Sequence, residues 1–73
     1  MSAKECIKNA RYKLGLTQGE FATLLDLNKA AVSLWERGSR MPGFANIRKI
    51  VDGLKKHNIN YEYADFRNDQ PDS

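Results

Sequence analysis

Between residues 28 and 37 the chain turns Lys29, Ala30, Ser33, Leu34 and Arg37 outward on one short helical segment, a set suited to touching the edges of nucleobases. Lys29 can donate to guanine O6 or N7, or fall back to a phosphate; Ala30 can meet a thymine methyl; Ser33 can serve a base edge or a phosphate. Leu34 suits either a thymine methyl or a protein partner. Catalytic chemistry finds no comparable set. His57 stands alone near a helix end, Cys6 is remote from it, the carboxylates are scattered, and no glycine-rich phosphate loop follows a strand. Neither a metal site nor a Cys/His nucleophile can be assembled from these, so no enzyme activity and no cofactor are expected.

These residues must be held by helices, and the start and stop signals for them are local. Thr17 and Glu20 form an S/T-x-x-E capping box opening one helix, Asn28 is an N-cap for the next, and Gly38 sits where that helix ends. Leu25-Asp26-Leu27 lies between, so the pair reads as a helix-turn-helix. Phe21, Ala22, Leu24 and Leu25 are expected on the inner face of its first helix, and Ala31, Val32 and Trp35 on that of its second. That spacing makes Trp35 a core residue rather than a base-stacking one. Ala22 leaves room for two helices to cross closely, and Leu27 fills the corner.

Around this unit, Ser2 with Glu5 opens an earlier helix reaching about Leu14, with Ile7, Ala10, Tyr12 and Leu14 toward the interior and Gly15 ending it. Residues 39–43 form a loop in which Pro42 cannot continue a helix. A fourth helix is expected from Phe44 to about Lys56, with Phe44, Ile47, Ile50, Val51 and Leu54 at core spacing and Gly53 weakening its end. Residues 58–66 remain two-sided. Ile59, Tyr61 and Tyr63 alternate as in a strand, while Asn60 could cap a short fifth helix. Residues 1–67 thus make one domain, and residues 68–73 are expected to be a disordered tail.

The string Arg11-x-x-x-Gly15-Leu16-Thr17-Gln18, then Glu20-Phe21-Ala22, then Val32-Ser33-x-Trp35-Glu36-Arg37-Gly38 and Pro42, resembles the Cro/CI-type helix-turn-helix family of phage repressors and bacterial regulators, the XRE family. The resemblance covers roughly residues 4 to 57, and its Ser-x-Trp-Glu-Arg-Gly run is specific. It implies an all-α, compact four- to five-helix, lambda-repressor-like DNA-binding domain, and a fifth helix rather than a strand over 58–66. It departs from the family at Asp26, where glycine is common in the turn; aspartate tolerates the left-handed conformation better than most residues. It also implies that Glu36 pairs with Arg11 rather than facing phosphate. Gln18, opening the second helix, would bond a phosphate or brace a side chain of the recognition helix. Arg37, Arg40 and the amides around Gly43 and Phe44 would anchor the DNA backbone, with Asn28 a cap first and a phosphate contact second. Arg48 and Lys49 would be solvated or at the rim.

Charge agrees with such a partner. Residues 1–57 carry eleven Lys or Arg against five Asp or Glu, whereas residues 58–73 carry Arg67 against Glu62, Asp65, Asp69 and Asp72. The basic body suits double-stranded DNA, and the acidic end should face away from it. Cys6 fits a small core residue of the first helix in a cytoplasmic protein, and a redox role would need a second chain. No segment has the length of a membrane span, and no signal peptide, separate effector domain, repeat or low-complexity tract is visible. A 73-residue chain rarely draws more than about 3–5 kcal/mol from its core. Family members commonly bind inverted repeats as homodimers, and Ile59, Tyr61, Tyr63 and Phe66 are the candidates for that contact. The expected function is a sequence-specific transcriptional regulator, a repressor. The alternatives are an antitoxin that also neutralises a partner protein, and an interaction module that has lost DNA binding.

Overall fold

The capping signals place the helices. In the computed structural model, which describes residues 2–67, the Ser2 hydroxyl accepts from the Glu5 N–H at 3.2 Å and α1 runs Ala3–Leu14. Thr17 and Glu20 form both halves of their capping box, at 3.1 and 2.9 Å, and open α2, Gln18–Leu24. Asn28 Oδ1 accepts from the Ala31 N–H at 3.1 Å and opens α3, Lys29–Arg37. Gly15 and Gly38 close α1 and α3 at φ 69° and 79°, a conformation that only glycine adopts without steric cost. α4 spans Phe44–Lys55 and α5 Tyr63–Arg67; there is no strand among the described residues. The expected tail, residues 68–73, lies outside the described residues.

α1 packs on α3 and α5, α2 on α3, and α4 on α5. Phe21, Phe66, Ile7, Ile50, Leu54, Val32 and Cys6 are fully buried where they meet. Trp35 and Ala22 are in that core as expected, and Leu14, Leu27, Ala31 and Val51 pack against its edge. The turn residue Asp26 is left-handed at φ 59°, and Lys49 of α4 donates to its carbonyl at 3.0 Å. Lys49 is therefore tied to the turn rather than simply solvated.

Three expected core residues are exposed. Tyr12 is 65% exposed, because α1 buries Ala3, Cys6, Ile7 and Ala10, and a residue two beyond Ala10 points to the opposite side. Its ring instead lies under the Arg11 guanidinium, 4.8 Å from the centroid. Leu24 is 43% exposed, since Phe21, Ala22 and Leu25 fill the inner face of α2 and Leu24 falls beside it. Phe44 is 59% exposed at the first turn of α4, beyond the stripe of Ile47, Ile50 and Leu54, and meets Tyr63 edge-on at 5.1 Å.

Residues 58–66 settle as a turn and a short helix. Asn58 goes left-handed at φ 63°, the Ile59 N–H returns to the Leu54 carbonyl at 3.1 Å, and Ile59 is buried. Asn60 is not the cap. Glu62 precedes α5, its N–H held by Asp65 Oδ2 at 2.9 Å. Ile59 and Phe66 belong to this chain's own core, and Tyr61 and Tyr63 are half-buried, with Tyr61 edge-on to Phe66 at 5.9 Å. The four proposed partner-contact residues therefore present much less apolar surface than their composition suggested.

Two long-range constraints hold the helices in place. Arg11 of α1 donates from Nε to Glu36 Oε2 at 2.7 Å and from Nη2 to Oε1 at 2.9 Å, with side chains 13% and 3% exposed. Its Nη1 donates to the Leu16 carbonyl at 3.0 Å. Burial alone would raise the Glu36 carboxyl, but the hydrogen bonds from Arg11 and Gln18, with the charges of Arg11 and Lys8, outweigh it and hold it below the ordinary carboxylate range. The hydrogen bond to Glu36 correspondingly raises Arg11, against burial. The second constraint is Gly53, where the backbone of α4 passes so close to Leu25, the residue just past α2, that a methyl group would collide with its Cδ2.

Breaking the pair leaves a buried charge, which costs about 3–5 kcal/mol. Arg11→Ala is thus expected to be largely unfolded at 25 °C by circular dichroism. The depressed Glu36 contributes stability that is full above the ordinary carboxylate range and fades as pH falls through its lower folded value. In acid titrations, Glu36→Gln should be weaker at neutral pH and show a shallower acid loss than the parent chain. At Gly53, overpacking of about 1–3 kcal/mol exceeds the roughly 1 kcal/mol that alanine gains over glycine in a helix. Gly53→Ala should lower the melting temperature in the parent chain and raise it in a Leu25→Ala background.

Candidate nucleic-acid interface

α3 divides cleanly around its axis. Val32, Trp35 and Glu36 are buried, and Ala31 is half-buried beside them. At about 100° per residue, Lys29, Ala30, Ser33 and Arg37 fall within one arc of about 100° on the other side. Lys29, Ala30 and Arg37 are exposed, and Ser33 is half-buried between them. Leu34 stands at the margin of this arc and is also half-buried, so it belongs to the shoulder of the face rather than its crest.

Asn28 is spent on the cap, with its side chain still exposed at the helix start. The Lys29 stem crosses α2 where α2 has no side chain: a Cβ at Gly19 would lie 3.6 Å from Lys29 Cδ. Gln18, the first residue of α2, donates from Nε2 to Glu36 Oε1 at 3.2 Å. Of the two contacts open to Gln18, the structure contains the one to a side chain of the recognition helix, and that side chain is Glu36.

Past Gly38, the Ser39 N–H donates to the Leu34 carbonyl at 3.0 Å and the Arg40 N–H to the same carbonyl at 3.4 Å, which pins the loop to the end of α3. The Arg40 side chain is exposed, and Pro42 is buried. Gly43 opens α4 without a side-chain cap, so no side chain competes for the first amides of a 12-residue helix that begins with Phe44. Arg48 lies 5.9 Å from the Phe44 ring centroid.

The sequence offered Gln18 a side chain of the recognition helix without naming it, since no local pattern links Gln18 to Glu36. One feature escaped the sequence reading. Leu24, displaced from the core, lines with Leu16, Ala22 and Leu27 an open groove of about 850 Å³ that continues to Gly19 and Lys29. Among the described residues, no group of three or more His, Cys, Asp or Glu side chains converges on a point where a metal could sit. No helix there is long and apolar enough to cross a membrane.

A capped recognition helix with one buried and one open face, an Arg–Glu tie beneath it and basic side chains at its ends is an arrangement for docking on DNA. Comparison with known proteins agrees. The family model described as helix-turn-helix matches residues 7–57, well over half of the chain. No curated protein and no solved structure matches. The matching family is one of DNA-binding regulatory domains rather than of enzymes. The chain belongs to the helix-turn-helix family of the Cro/CI (XRE) type, a family of DNA-binding regulators.

Proposed function

We propose that this chain is a sequence-specific transcriptional repressor that docks residues 28–37 in the major groove of an inverted-repeat operator and does so as a homodimer. The observation that carries this reading is the shared outward face of Lys29, Ala30, Ser33 and Arg37, set on a helix whose other face is locked in the core. Lys29, Ala30 and Ser33, with Leu34 at the shoulder, read base edges. Gln18, Asn28, Arg37, Arg40 and the amides at Gly43 and Phe44 fix the register on the phosphates. Two copies place their α3 helices about 34 Å apart, one turn of the duplex. Repression then needs nothing beyond occupancy, since a protein seated on a promoter excludes the polymerase.

A second reading, an antitoxin that also neutralises a partner protein, draws on the exposed Leu24 and the groove it lines with Leu16 and Leu27. Co-purification with a neighbouring small protein would favour it.

Backbone amide shifts on adding a duplex test the main reading: the resonances of α3 should move, and a silent α3 would refute it. With an operator selected from a random pool, Lys29→Ala should cost about 1–3 kcal/mol at one base position and relax preference there. Arg40→Ala should weaken binding to all duplexes alike and lower the slope of log affinity against log salt by about one.

A further inference from the structure

Glu36 is the one buried charged side chain among the described residues, and both its oxygens are engaged. Oε2 takes Arg11 Nε at 2.7 Å, and Oε1 takes both Arg11 Nη2 at 2.9 Å and Gln18 Nε2 at 3.2 Å. Arg11 is itself anchored through Nη1 to the Leu16 carbonyl. A carboxylate gripped on two sides by a planar guanidinium has no freedom to follow a neighbouring amide; the amide follows it. A primary amide has two N–H groups in one plane, so spending one of them on Glu36 fixes the direction of the other. The Gln18 side chain is half-buried, with its remaining surface at the start of α2 and open to solvent.

We propose that Glu36 is a positioning residue for DNA binding: it holds the Gln18 amide in a single orientation, leaving the second Nε2–H to donate to a phosphate oxygen of the DNA backbone. This rests on the DNA-binding reading above and assigns a role to a residue that touches no DNA. Orientation decides the sign of the contact. The amide nitrogen attracts a phosphate, whereas a flipped amide would turn its carbonyl oxygen toward the same charge. Glu36 itself does not repel the backbone, because the Arg11 charge balances it and the protein covers it. The arrangement makes a neutral grip from α2 conditional on a carboxylate of α3 and a cation of α1.

The test combines binding measurements with side-chain spectroscopy, using a short duplex selected by the protein from a random pool. Gln18→Met, which removes the amide but leaves the Arg11–Glu36 pair, should weaken binding about tenfold. Glu36→Gln should weaken it to a similar degree, and the double variant should be about as weak as either alone. In the parent chain, the two Gln18 side-chain amide protons, assigned by their loss in Gln18→Met, should behave differently. The one bonded to Glu36 should stay in place when duplex is added and the other should shift. If Glu36→Gln fails to fold, this spectroscopic comparison decides alone. Additive losses, a Gln18→Met variant that binds like the parent, or two amide protons unmoved by a duplex that shifts α3 would each overturn the proposal. A duplex that leaves α3 itself unmoved would instead overturn the DNA-binding reading on which it stands.

Discussion

The structure turns on a single ion pair. Arg11 and Glu36 join the first helix to the third through two parallel N–H···O bonds, with the carboxylate buried and the guanidinium largely covered. A buried pair of this kind adds little net stability over an apolar pair of the same size, but losing one partner is costly. Its effect is therefore to specify an angle: α3 cannot rotate about its axis without pulling the carboxylate off the guanidinium. Rotation by one residue position would also turn the apolar stripe outward, so the ion pair and the burial of Val32 and Trp35 together keep the exposed face of α3 outward.

The exposed face and the buried face of α3 are made by different physical means. Inward, Val32 and Trp35 are fixed by burial, which is non-directional and tolerates small shifts. Outward, the side chains run from long and cationic at Lys29 through small at Ala30 and Ser33 to cationic again at Arg37. Charge at both ends and little bulk in the middle suits a convex rod entering a groove between two phosphate lines. The acidic residues Glu62, just before α5, and Asp65, within it, accompany a helix that packs on α1 and α4.

What could be read in the sequence was whatever neighbours along the chain decide. Ser2, Thr17, Asn28, Gly15 and Gly38 act within four residues of themselves, and each ends or begins a helix where its chemistry said it would. The family string from Arg11 to Pro42 carried the global fold and the Arg11–Glu36 pair. Periodicity was weaker evidence in short helices. In seven-residue α2, Leu24 and Leu25 both fit an apolar stripe, and only the packing of Phe21 and Ala22 against α3 selects between them. Tyr12 and Phe44 fail for related reasons, one lying across the axis from the buried stripe and the other starting its helix before the core begins. Gly53 looked like a weakness in α4 and proved to be the space that Leu25 occupies, a fact held in no local window. The alternation of Ile59 and Tyr61 falls on an irregular link between α4 and α5 rather than on a strand.

The shortest helix lies over the one thiol. α5 has only five residues, too few to persist as a helix unaided, and it stays down because Phe66 is sunk in the core. Beneath it the Cys6 sulfur lies 4.0 Å from the Asp65 carbonyl and has no exposure to solvent. Thiol reagents can reach that sulfur only when the core around it opens, and lifting α5 is one such opening. The alkylation rate of Cys6 in otherwise native protein therefore reports how often the small core opens beneath α5.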